Sequence, residues 1–103
     1  MALTDEINDF VTYIQDPIVF PGILQFNVNA HIQTLHRTNT KNRITAYNLF
    51  RKRIFEEASL INVTDFKVIG FSTNIIWRRL TTAERTIFHN YARQILSIID
   101  IRN

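Results

Sequence analysis

Apolar residues recur at three- and four-residue spacing along most of this chain, and three stretches of its second half carry the pattern furthest. The first runs from Ala46 to Ser59. Ala46, Tyr47, Leu49, Phe50, Ile54 and Phe55 form its apolar side, with Arg51, Lys52, Glu56 and Glu57 on the more exposed side. The second runs from Thr64 to Trp77, capped by Thr64 or Asp65, with Phe66, Ile69, Ile76 and Trp77 as its apolar surface. Gly70 lies in its interior and costs about 1 kcal/mol of helix propensity. The third runs from Thr82 to Ile99. It opens with Thr81-Thr82-Ala83-Glu84, a capping box in which Thr81 and Glu84 each satisfy an end amide. Three amphipathic helices are therefore predicted.

The first third reads differently. Thr4 is placed to cap a short helix carrying Ile7, Phe10, Val11 and Ile14 in one stripe. Asp16-Pro17 and Pro21-Gly22 punctuate the chain, so that helix should stop near Gln15. Residues 23–36 are too apolar for a free linker and suit a short helix or strand. Residues 37–43, Arg-Thr-Asn-Thr-Lys-Asn-Arg, have no apolar side chain and read as a linker or arm. The division that follows is an acidic, apolar extension over 1–39 and a helical domain over 40–100.

Charge sharpens this division. The net charge is only +3, but residues 1–36 hold no Lys or Arg and four acids, Asp5, Glu6, Asp9 and Asp16. All twelve Lys and Arg follow, with five acids, so the halves carry −4 and +7. Such a split points the second part at a polyanion. With 46% apolar and 20% charged residues the composition is globular. There is no cysteine, which removes disulfides and thiolate metal sites and fits a reducing compartment. No apolar run reaches membrane-spanning length, and the acidic start lacks the basic region of a signal peptide, so an intracellular protein is expected.

The order of particular residues narrows the fold. Thr45-Ala46-Tyr47-Asn48-Leu49-Phe50-Arg51-Lys52 resembles the opening of HMG boxes. Ile76-Trp77-Arg78-Arg79-Leu80-Thr81-Thr82-Ala83-Glu84-Arg85 resembles their hinge between the second and third helices. Phe88 and Ala92 follow Trp77 by eleven and fifteen residues, where the family has an aromatic and a small residue. The resemblance covers about sixty residues and is most similar to fungal mating-type boxes. It implies an all-α, three-helix, L-shaped HMG box with a partly helical N-terminal extension. Tyr47, Phe50, Trp77 and Phe88 would meet as core aromatics at the corner. It also implies a nuclear transcription regulator of mating-type class that binds double-stranded DNA in the minor groove and bends it.

Phosphate contacts are expected from Arg37, Lys41, Arg43, Arg51, Lys52, Arg53 and Lys67. The family's minor-groove asparagine corresponds to Thr45, and Tyr47 matches the aromatic that abuts the bases. The wedge position holds Asn48, a poor intercalator, and Phe66 at the start of the second helix is its candidate substitute. The turn over Ala58 to Val63 and the pair Thr73-Asn74 also depart from the family pattern. These departures point away from sharp bending and strong sequence preference. Two alternatives stand beside this reading. One is a protein-interaction module on an HMG-box scaffold, with residues 1–36 docking a partner or covering the basic face. The other is a homeodomain-like binder of the major groove.

Catalysis is not expected. His31 and His36 are five apart, off the spacing of a helical metal pair, and His89 stands alone. Gly22 and Gly70 are the only glycines, so no Gly-rich phosphate loop exists, and no Ser/His/Asp motif is present. No catalytic residue, metal or cofactor is therefore assigned.

Overall fold

A computed structural model describes residues 2–34 and 44–102, and every regular element among them is a helix. These are α1 (Leu3–Ile14), α2 (Phe20–Ile23), α3 (Val28–Thr34), α4 (Ala46–Leu60), α5 (Phe66–Arg79) and α6 (Thr82–Arg102). The arm read at residues 37–43 lies outside the described residues.

Local chemistry fixes most of the ends. Thr4 does not cap α1. The helix starts two residues earlier than such a cap would allow, its N-cap is Ala2, and Asp5 and Glu6 in the first turn complement its exposed amides. Pro21-Gly22 is not a break either. Pro21 sits in the first turn of α2, where its missing N–H costs nothing, and Gly22 continues that turn. The described part of the 23–36 segment, residues 23–34, holds the end of α2 and α3, whose first turn is tied by the Asn27 Oδ1 accepting from Ala30 N at 2.9 Å. Thr45 caps α4, its Oγ1 accepting from Asn48 N at 3.1 Å. Asp65 caps α5, its Oδ1 accepting from Lys67 N at 2.9 Å. At α6 the capping box is complete: Thr81 N donates to Glu84 Oε1 at 2.8 Å, and Glu84 N donates to Thr81 Oγ1 at 3.1 Å. The chain runs through Gly70 as helix, because the apolar face of α5 is buried on both sides.

α4 is the central element, packed on α5 and on α6, with α2 against it. α1 lies on α5, and its Gln15 Oε1 accepts from Arg79 Nη1 at 2.9 Å. α3 lies along α6. The core is continuous across these contacts. Phe10, Val11 and Ile14 of α1, Ile23 and Ile32 share one cluster with Phe50, Ile54, Ile76, Phe88 and Ile95. A line of rings runs through its middle. Tyr47 meets Trp77 at 5.6 Å between centroids, Trp77 meets Phe50 at 5.3 Å, and Phe50 meets Phe88 edge-on at 5.2 Å. Arg85 packs beside these rings and donates to the carbonyls of Trp77 and Arg78 that end α5.

Candidate nucleic-acid interface

The two capped helix starts, at Thr45 and Asp65, set the phase of α4 and α5, and so decide which side chains stay outside. On α4, residues 48, 51, 52 and 55 share one side by helical spacing. They face the first residue of α5, and Asn48, Arg51, Lys52, Phe55 and Phe66 line an open cleft of about 560 Å³. Phe66 is 75% exposed. Its ring stands 5.9 Å from that of Phe55, and the Arg51 guanidinium lies 4.8 Å over the Phe55 ring. Lys67, Phe71 and Arg78 are exposed further along α5.

The cleft combines cations, an exposed aromatic and no carboxylate among its lining residues. That arrangement can neutralise phosphates at its edge while offering an apolar face to a base step. No residue of α1, α2 or α3 lines it.

The sequence-selected residues separate into groups. Asn48, Arg51, Lys52 and Phe66 meet in the cleft, and Lys67 is exposed beside it. Thr45 is exposed but is occupied as the α4 cap. Tyr47 is half-buried, its ring on Trp77 and its hydroxyl donating to Asn74 Oδ1. Asn74 thus serves as a partner for Tyr47, and the buried Thr73 donates its hydroxyl to Ile69 O at 2.7 Å. Arg37, Lys41 and Arg43 lie outside the described residues.

Arg53 stands apart from this group. It turns away from the cleft and donates from Nε to Gln25 O at 3.1 Å and from Nη2 to Gly22 O at 3.0 Å. It also pairs with Glu57 at 3.6 Å, and Glu57 Oε1 accepts from Tyr13 OH at 2.9 Å. That hydrogen bond, with burial behind it, raises the Tyr13 phenol above its usual range. Arg53 therefore fastens α2 and the loop after it to α4, and its guanidinium is engaged by these partners. On the other side of that loop, Tyr91 OH donates to Leu24 O at 2.8 Å.

Lys52 has two surroundings. It lines the cleft, and its Nζ stands 2.7 Å from His31 Nδ1. Burial and the Lys52 charge hold the His31 imidazole below its ordinary value of 6.5, so the neutral ring accepts from the ammonium. Phe55 was missed by sequence reading, which placed it inward. Its ring is shared between core and cleft, and its four-residue spacing from Arg51 was the available signal.

Among the described residues no group of three or more His, Cys, Asp or Glu is placed to hold a metal, and no helix is long and apolar enough to cross a membrane. Comparison with protein-family models, with curated proteins and with solved structures finds no match.

Proposed function

We propose that this chain binds duplex DNA through the α4–α5 cleft, as a minor-groove protein of HMG-box type with Phe66 as its wedge. One observation carries the reading: an aromatic that is 75% exposed stands among Arg51, Lys52, Asn48 and Phe55 at the mouth of an acid-free cleft. Beyond its contact with Phe55, so exposed a ring contributes little to packing. Between partly unstacked base steps it offsets the cost of opening them. α4 and α5 would form the short arm of the L, and α6 with α3 alongside the long arm. A nuclear regulator of transcription, of the mating-type class that the sequence resembles, is the role this implies.

The reading is tested by mobility shift on linear and pre-bent duplexes over a salt series, with bending read by fluorescence transfer. Arg51→Ala should weaken binding evenly across sequences and reduce the salt slope by about one. Phe66→Ala should lower the bend and cost about tenfold in affinity, roughly 1.4 kcal/mol. Failure of the parent chain to bind either duplex at low salt would refute the proposal.

A further inference from the structure

Two concave surfaces of opposite character flank the first turn of α5. One is the cleft of Arg51, Lys52, Phe55 and Phe66. The other exists because α1 packs on α5, which leaves a groove of about 430 Å³ between α1 and the chain entering α5. The groove has an apolar floor of Phe10, Tyr13, Val63 and Val68. Its remaining lining includes Glu6, Asp9 and Asp65 and, among the described residues, no Lys or Arg. One surface is cationic with a projecting ring, and the other is anionic with an apolar recess. Asp65 lines one and Phe66 the other, so the complementary surfaces are joined at consecutive residues.

We propose that the groove receives a second copy of this chain. Phe66 of one protomer enters the apolar floor of its partner, with Arg51 and Lys67 beside the acidic rim. Charge complementarity selects this occupant, because the cations and the exposed ring that fit the groove are on the chain itself. The adjacency of the two surfaces selects the symmetry. A two-fold axis beside the start of α5 satisfies both contacts at once with only two copies, whereas two copies joined head to tail would leave one groove and one ring unfilled. Leu60, 75% exposed at the end of α4, adds apolar surface at the same end of the molecule. Dimer and duplex would compete for Phe66, but the dimer does not rest on the duplex reading and is tested without nucleic acid.

Analytical ultracentrifugation of the full chain over a concentration series, at low and high salt, is the experiment. A reversible monomer–dimer equilibrium weakened by salt is expected. Asp9→Arg and Arg51→Glu each act at exposed positions and should each raise the dissociation constant about tenfold or more. Mixed together they should restore the parent affinity, since both contacts of the mixed dimer again join opposite charges. If either variant melts below the parent, Glu6→Arg and Lys67→Glu replace the pair. A monomer at every concentration, open-ended polymers, variants that associate like the parent, or a mixture no tighter than its components would each overturn the proposal.

Discussion

Arg51 and Arg53 are two residues apart on α4, and the structure assigns them unrelated work. Arg53→Met separates the two roles, because methionine keeps an apolar stem and deletes the guanidinium. The lost contacts are the bonds to Gln25 O and Gly22 O, at 3.1 and 3.0 Å, and the pair with Glu57 at 3.6 Å. A hydrogen bond to a charged group contributes about 1.5–3 kcal/mol. Two discounts apply. Gln25 is exposed, so water can replace the donor at its carbonyl. Gly22 O already accepts from Gln25 N at 3.1 Å, so it keeps a partner. The Glu57 pair is an i,i+4 contact worth about 0.3–0.5 kcal/mol. The expected loss is about 2 kcal/mol, which moves a urea midpoint by roughly 1 M for a chain of this size. Trp77, the only tryptophan, reports the transition by fluorescence. Arg51→Met should change stability by less than about 0.5 kcal/mol, and should weaken duplex binding where Arg53→Met does not. An Arg53→Met chain as stable as the parent, with duplex affinity lowered as in Arg51→Met, would return Arg53 to the interface and refute this assignment.

Two further outcomes follow from single positions. A Cβ at Gly70 meets nothing within 4 Å, so Gly70→Ala should stabilise α5 by about 1 kcal/mol in thermal unfolding, and a lower melting point would show that the residue is needed for another reason. His31 has a folded-state pKa below 6.5, so the unfolded chain takes the proton first: stability is full above that value and falls as the pH drops from it through the lower folded value. His31→Gln should flatten urea midpoints measured between about pH 5 and pH 7, and an unaltered slope would assign the dependence to other groups.

What the sequence made legible was local. The capping box at Thr81 and Glu84, the Asp65 cap and the three- and four-residue spacing in α4 and α6 each depend on residues within one or two turns. The rest depends on long-range partners. Arg53 reads as a phosphate contact because the carbonyls that hold it lie 28 and 31 residues earlier. Phe55 reads as core because spacing marks a face as apolar without saying how far it is covered. Asp65 was legible as a helix cap, but its place on a groove with Glu6 and Asp9 depends on where α1 docks. The stripe of α1 was visible, but nothing in it names α5 as its partner.

That docking bears on whether the acidic segment is a detachable cover for a self-sufficient domain. A cover that competes with phosphate would place Asp5, Glu6 and Asp9 over the basic cleft. In the structure Glu6 and Asp9 line the groove on the other flank of α5, and Phe10, Val11 and Ile14 are built into the shared core. Ile14→Ala tests the difference. The side chain is fully buried, and truncation there removes its transfer energy and leaves a cavity, at a cost of about 2–5 kcal/mol. Trp77 is remote in sequence but packs on the same cluster. If α1 is part of one cooperative unit, the Trp77 transition should move to lower urea by the full amount and coincide with loss of helical circular dichroism. An independent cover predicts an unmoved Trp77 transition and tighter duplex binding as the acids come away. The first outcome makes residues 2–34 structural members of the domain, and leaves Glu6 and Asp9 with the groove rather than the cleft.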